Sequence, residues 1–448
     1  MPASLNHQTS LYWFTSDLRL DDNPLLTYAA QSQQLICVYC VDPRWFEARR
    51  YHLAQMGPLR WQFLQEQLND LKRQLALLGQ KLFIIYQEPE QAIVDLCRFH
   101  DVDNVFVARQ FGYDEQHTLN LLEQALAPAT LHQHDQCTLF GRDDLKHDFR
   151  PLTAGYTPFK NRALSLLDEV KKPLTAPLVL PPGPKDTAPQ CPLDLPVLAM
   201  PDSASPLFSG GETQAHHQLN DYLNTDALSD YKQTRDQLSG FLNSSKLSAW
   251  LNSGTLSCRR VLARIYQYEA EHGRNASTQW MVVELLWREY FHWLSDCQGL
   301  SLFRFKGLGY SAPLTSFYAE RFKKWCQGTT PYPLVNACMR ELKATGYLSN
   351  RGRQIAASCL VNELQLDWRF GAAWFEYQLL DYQVSVNWGN WQYIAGVGVD
   401  PRGGRHFNLV KQQNKYDADG AYITKWCGNE DFSKQGLDAV DAADWPVL

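Results

Sequence analysis

The chain has little that would send it out of the cell or into a membrane. Its opening stretch, MPASLNHQTS, lacks the basic start and apolar core of a signal peptide, and no apolar run approaches the length of a membrane span. The 11 cysteines are odd in number and scattered through apolar segments, so reduced thiols in a cytoplasmic protein are expected rather than a disulfide framework. Neither sign of charge is in large excess, the net being -6. Residues 1–204 carry 18 Lys and Arg against 24 Asp and Glu, whereas residues 205–428 carry 23 against 19. So small a basic excess permits a polyanionic partner without demanding one. Also missing are G-x-G-x-x-G after any strand, a Walker loop, G-x-S-x-G and H-E-x-x-H. Their absence removes the dinucleotide fingerprint and the usual hydrolytic and phosphoryl-transfer machinery. His132-x-His134 and His216-His217 have no Cys, Asp or Glu at ligand spacing, and no metal site is expected.

What is present reads as two domains, the default for 448 residues. Over residues 1–140, strand-like runs (LYWFTSD, LICVYCVD, KLFIIYQ, DNVFVARQ and the weaker ATLHQHDQCTLF) alternate with amphipathic helical ones. That alternation predicts a doubly wound parallel sheet covered on both faces, an α/β domain with ligands beyond the carboxyl ends of its strands. Cys37 and Cys40 fall within one strand at an odd spacing, so their side chains leave on opposite faces as buried structural thiols. Residues 141–170 give no clear reading, and 171–206 are too rich in proline for a helix or central strand; 141–206 is read as an interdomain connector. Residues 207–428 show only helical periodicity, an all-α domain, and 429–448 form an acidic tail.

The helical domain holds groups that a core would exclude. Between Leu334 and Asp400, Asn350, Arg351 and Arg353 sit beside an Ala/Ser/Cys-rich helix, Asp381 follows an apolar run, and Asn387, Trp388, Asn390 and Trp391 crowd Gly389. Buried charges need partners and buried amides need hydrogen bonds, so this stretch reads as the lining of a pocket for a large, flat, polar-edged ligand. Arg353 and Asp381 are placed to pair across two helices. Ser244-Ser245-Lys246-Leu247-Ser248 offers hydroxyls and amides to phosphate oxygens, although alone it reads as an ordinary N-cap; Tyr231 and Arg235 lie just upstream. Glu284, Trp287 and Arg288, at i, i+3 and i+4, share one helical face. They suit a base-reading surface or an ion pair packed on an indole.

With these residues in view, LYWFTSDLRLDDNPLL resembles the opening of the photolyase/cryptochrome family. MRELKATGYLSNRGRQ and DYQVSVNWGNWQYIAGVGVDPR resemble its DASH branch, over nearly the whole chain. The resemblance implies one noncovalent FAD in the helical domain. Ser244, Ser245, Lys246, Leu247 and Ser248 would hold its diphosphate and ribityl region with Tyr231 nearby, and Arg288 would also contact it. Arg353 and Asp381 would flank the isoalloxazine, and Asn387 would face its N5. Lys246 stands where relatives often carry Arg, a point charge in place of a fork, and Gln383 stands where an acid is frequent. The implied reaction is light-driven splitting of cyclobutane pyrimidine dimers by electron transfer from excited reduced FAD, favouring single-stranded or looped DNA. Glu284, Trp287, Asn350, Arg351, Gln354 and Tyr393 would face the dimer, and Arg405 would hold phosphate with Arg351. Trp391 and Trp368 match the proximal and middle members of the family's electron relay, and the distal one falls on Thr315. Many relatives bind a folate antenna, methenyltetrahydrofolate, at the domain junction; the usual DASH glutamate there is Gln110. The implied partner is UV-damaged DNA, met by a monomer. A signalling photoreceptor or a nucleic-acid-binding flavoprotein with little turnover would use the same flavin and are the alternatives.

Overall fold

The computed structural model describes residues 8–142, 144–145, 155–184, 194–309, 311–399, 403–432, 435 and 437. Most of the acidic tail therefore lies outside the described residues. The N-terminal domain is built on β1 (Thr9–Phe14), β2 (Gln34–Val41), β3 (Leu82–Tyr86), β4 (Asn104–Ala108) and β5 (Thr130–His134), with α1 (Pro24–Ala29), α2 (Pro58–Leu77), α3 (Pro89–Phe99) and α4 (Tyr113–Ala125) between them. The strands pair in parallel in the order β3-β2-β1-β4-β5. The expected doubly wound sheet is present. β1, β2 and β4 are buried on both faces because helices cover both, which is why they read as continuous apolar runs. Cys37 belongs to the apolar cluster on one face and Cys40 to that on the other, and burial pushes the Cys37 thiol up to about 12. Ten cysteines among the described residues are free thiols.

The fifth strand stops at His134, short of the expected Phe140. Beyond it the backbone amides of Leu139 and Phe140 donate instead to the buried Glu289 carboxylate, at 2.9 and 3.2 Å. The chain there leaves the sheet for the helical domain.

That domain begins after α5 (Tyr156–Ser165), a helix in the stretch the sequence left unread. It comprises α6 (Glu212–Leu223), α7 (Ala227–Thr234), α8 (Ser248–Ser253), α9 (Cys258–His272), α10 (Ala276–Gln298), α11 (Ala319–Gln327), α12 (Pro333–Thr345), α13 (Asn350–Ser358), α14 (Trp368–Gln378), α15 (Val384–Ala395), α16 (Leu409–Tyr416) and α17 (Ala421–Cys427). Among the described residues no helix is long and apolar enough to cross a membrane. The long α10 starts on a capping box in which Asn275 and Thr278 satisfy each other's backbone amides.

The two domains meet where the strand order reverses, beside β1 and β4. Glu212 accepts the amides of Leu20 and Asp21, both at 2.8 Å. Arg19 donates to the Gly254 carbonyl at 2.8 Å, and Arg259 pairs with the buried Asp22 at 2.9 Å. In open α/β sheets that crevice usually takes a ligand; the helical domain partly fills it here, and the main cavity lies deeper, among helices.

Candidate functional site

Residues from α7, α8, α10, α13, α14 and α15 and the loops between them enclose a cavity of about 410 Å³. Two oppositely charged side chains anchor its floor. Arg353, on α13, donates through Nη2 to Asp381 Oδ2 at 2.8 Å, and its Nε is fixed on the Leu348 carbonyl at 2.8 Å. Burial opposes the guanidinium charge, but Asp381 foremost, with Tyr347 and Glu341, holds Arg353 above its ordinary pKa. The second Asp381 oxygen, Oδ1, is buried with no hydrogen-bond partner among the described residues. An unmet acceptor on a buried carboxylate at a cavity wall is a strong indication of a ligand donor.

Asn387 lies opposite on α15. Its amide nitrogen donates to the Ala372 carbonyl at 3.0 Å, so its own carbonyl is the group left for a ligand. Gln383, N-terminal to it, spends its side-chain oxygen capping α15 on the Val386 amide. Ser244, Ser245, Lys246, Leu247 and Ser248 all line the cavity as well. Lys246 has φ +56°, a left-handed conformation that costs a non-glycine residue of the order of 1 kcal/mol. The strained backbone presents the ammonium to the Tyr347 ring, 5.1 Å from its centroid, on the wall of the cavity.

On α10, Glu284, Trp287 and Arg288 all face inward, as their spacing required. Arg288 is used by the protein itself: it donates to Asn252 Oδ1 at 3.2 Å and to the Leu251 and Cys137 carbonyls. Glu284 is paired with Arg235 and accepts the Trp280 indole N–H at 2.9 Å. Burial raises its pKa, and Arg235 pulls the other way. Tyr231, Asn350, Gln354, Tyr393 and Trp391 complete the expected set around one space.

Of the residues expected to face the dimer, Arg351 is not in the lining, and Arg405, expected at phosphate, and Trp368, expected in the relay, also lie outside it. Arg351 turns away, paired with Asp236 at 2.9 Å and lying 5.0 Å over the Tyr416 ring. Arg405 lies over Tyr393, 4.9 Å from its centroid, and donates to the Tyr393 hydroxyl. Trp368 is wholly buried, its indole N–H donating to the Phe305 carbonyl at 2.9 Å. Its ring neighbour is Trp388, at 5.8 Å, whereas Trp391 has Phe375 at 5.1 Å and Trp325 at 6.2 Å. Thr315 lies beside the Ser316–Leu366 bridge, its hydroxyl buried with no hydrogen-bond partner among the described residues. Gln110 is tied to the Ala108 carbonyl and the Thr15 hydroxyl, each at 2.8 Å.

Several lining residues carried no sequence signal. Asn252 joins two expected groups, donating to the Asp381 carbonyl at 2.5 Å while accepting from Arg288. Phe291, Tyr347 and Phe375 supply flat walls, yet in sequence they look like any core aromatic. Contrary to the expectation that no acid stands at ligand spacing beside His216, Glu212 lies one turn before it on α6 and Asp21 lies close by, their ligand atoms within 4.8 Å of one another; these carboxylates hold Arg260 and two backbone amides.

The donor set fits FAD: hydroxyls and an ammonium, aromatic walls, and a buried ion pair with an unmet acceptor and an amide carbonyl for a polar ring edge. Comparison with known proteins agrees. Residues 280–436 match the family described as the FAD binding domain of DNA photolyase, and residues 10–178 the family described as DNA photolyase. The chain belongs to the photolyase/cryptochrome family, and FAD is its cofactor. Within that family its relatives are DASH cryptochromes. The Idiomarina loihiensis protein of that name is 44% identical over 99% of this chain and 97% of its own. The one from Vibrio parahaemolyticus is 43% identical over 99% and 98%. Among solved structures, a Synechocystis cryptochrome superposes with a TM-score of 0.89 at 34% identity, covering 100% of this chain and 95% of its own. A class III photolyase from Agrobacterium tumefaciens gives 0.81 at 28%, covering 99% and 93%.

Proposed function

We propose that the protein repairs cyclobutane pyrimidine dimers under near-UV or blue light, in single-stranded or looped DNA, acting as a cytoplasmic monomer. The observation that carries the reading is convergence. Glu284, Trp287, Asn350, Gln354 and Tyr393, the residues suited to a pyrimidine pair, line the same cavity as Arg353, Asp381 and Asn387, the residues suited to a flavin ring. When bound and reduced, FAD supplies on excitation the electron that opens the cyclobutane ring and receives it back.

The chain's residues then have separable tasks. Lys246 and the hydroxyls of Ser244, Ser245 and Ser248 bind the diphosphate and ribityl region. Arg353 and Asp381 hold a fixed dipole beside the ring, and Asn387 offers a carbonyl to a ring N–H. Met281, Leu285, Phe291 and Ile394 keep the space dry, which strengthens every charge interaction within it. Trp287 and Tyr393, with ring centroids 6.1 Å apart and planes at 73°, form a corner into which a dimer stacks. Glu284 hydrogen-bonds the base edge once Arg235 releases it. The lesion must leave its helix to enter, which costs least where no partner strand holds it.

The test is repair of a thymine dimer in matched single-stranded and duplex oligonucleotides by the photoreduced protein, with dark controls. Light-dependent repair of the single strand alone supports the reading in full. Equal repair of duplex removes the strand preference. No repair of either, with FAD bound and reducible, overturns the enzymatic reading in favour of a photoreceptor or a nucleic-acid-binding flavoprotein.

A further inference from the structure

The cavity's principal stacking surface is backed from outside the helical bundle. Tyr156 is the first residue of α5, in the connector between the domains. Its ring lies on Trp287 with centroids 3.4 Å apart and planes 12° apart, a full face-to-face contact. Its hydroxyl donates to the Val283 carbonyl at 3.0 Å, one turn back on α10, and its ring meets Tyr290 edge-on at 5.6 Å. One turn further along α5, Phe159 packs on Tyr290 at 5.4 Å, so α5 is pinned to α10 at two points. The turn into α5 is made by Gly155 at φ +104°, a conformation that a side chain rarely adopts. Trp287 lines the cavity and Tyr156 does not, so Tyr156 covers the indole face turned away from it. Tyr393 at 6.1 Å and Phe291 at 5.7 Å stand beside the same indole. The indole is therefore fixed in orientation before any ligand arrives.

We infer that Tyr156 is a positioning residue for lesion recognition: by stacking on the rear face of Trp287 it holds the indole plane ready for a flipped pyrimidine dimer. The inference rests on the dimer-repair reading and names a residue outside the bundle as part of its binding site. A flat platform that must be ordered during binding loses affinity to that ordering; one already clamped does not. An aromatic pair contributes about 0.5–1.5 kcal/mol beyond its buried area, so loss of the clamp weakens dimer binding roughly 2- to 12-fold.

The experiment uses the full-length, FAD-loaded protein in the dark and two single-stranded oligonucleotides of one sequence, with and without a thymine dimer. Dissociation constants are measured for the parent, Tyr156→Phe and Tyr156→Leu. Tyr156→Leu is expected to lose roughly 2- to 12-fold in affinity for the dimer strand and almost none for the undamaged strand. Tyr156→Phe keeps the ring and is expected to keep the parent's preference. Tyr156→Met fills similar volume without a rigid plane, carries the expectation of the leucine variant, and replaces it if that variant does not fold. An unchanged dimer preference in Tyr156→Leu or Tyr156→Met overturns the inference. So does an equal loss for both strands, which marks a merely structural contact, or a loss in Tyr156→Phe matching that of Tyr156→Leu, which assigns the effect to the hydroxyl. A parent protein with no dimer preference counts against the repair reading itself.

Discussion

Asp381 concentrates the site's electrostatics in one residue. It is 3% exposed, pairs with Arg353 through one oxygen and leaves the other unmet. Its removal strands a guanidinium whose side chain is only 25% exposed. Breaking a buried pair from one side costs about 3–5 kcal/mol, and the partial exposure of Arg353 places this case near the lower end. Asp381→Ala is therefore expected to lose about 3 kcal/mol in urea unfolding of the flavin-free protein. It should also purify with little or no FAD absorbance. Unchanged flavin content in that variant would contradict the placement of Asp381 beside the ring. The pair was readable in the sequence because a lone Asp after an aromatic run and an Arg beside small residues both need a partner. That Arg351, two residues away, points elsewhere to Asp236 was not readable, since helical phase alone does not say which side chain finds which neighbour.

Helix α15 forms part of the cavity wall, and two glycines set how closely it packs, Gly371 against α14 and Gly389 against α10. A Cβ on Gly371 would stand 2.3–2.9 Å from three atoms of the Trp391 ring, and one on Gly389 would meet Phe291 at 2.4 Å. An indole cannot give way as a flexible chain end can. Gly371→Ala gains about 1 kcal/mol of helix propensity but forces the helices apart, at about 1–3 kcal/mol. The expected result is a lower melting temperature and reduced FAD occupancy, read by thermal unfolding followed through flavin fluorescence. A variant as stable as the parent with full flavin would show that the wall can shift. The segment VSVNWGNWQYIA is a poor helix former taken alone, because β-branched, amide and glycine residues all lower its helix propensity. Packing against α10 and α14 overrides the weak propensity. The connector helix α5 was missed for a related reason: its inward face is short, and what it covers is a pair of rings, Trp287 and Tyr290, on another helix.

Across the whole molecule, buried carboxyls make stability depend on pH. Burial raises Glu376 to about 7, with its side chain on the Trp388 indole N–H at 3.3 Å. An unfolded chain ionises that carboxyl near pH 4.3. Below that value both states are protonated and its contribution is fully present. As pH rises through about 7 the folded form must ionise a buried group, and that stability is lost. Burial holds His134 and His292 below their usual range, which acts in the opposite sense below about pH 6.5, so the parent's own profile mixes the two. Comparison with Glu376→Gln isolates the carboxyl. The stability of the variant relative to the parent is expected to rise between pH 5 and pH 8 by at most about 3 kcal/mol, measured as urea midpoints. A constant difference across that range would mean that Glu376 is ionised in the folded protein throughout. The clasp between domains makes the second test at this scale. A Cβ on Gly254, at φ +70°, would fall 1.8 Å from the Ser16 carbonyl, and Gly254→Ala is expected to destabilise both domains in one unfolding transition. Two separated transitions would show domains that hold together without this contact.

The sequence by itself determined the parallel sheet, the helical second domain and most of the cavity's inventory. Periodicity 2 and 3.6 express local backbone geometry, and charges or amides set in apolar runs announce that a partner is required. Tertiary structure alone decided which partners are met. It turned Arg351 away from the cavity, stopped the fifth strand short so that Leu139 and Phe140 meet the Glu289 carboxylate, and laid Tyr156 of the connector on Trp287. Each of those outcomes depends on the distance between residues far apart in the chain, and no pattern along the chain carries that distance.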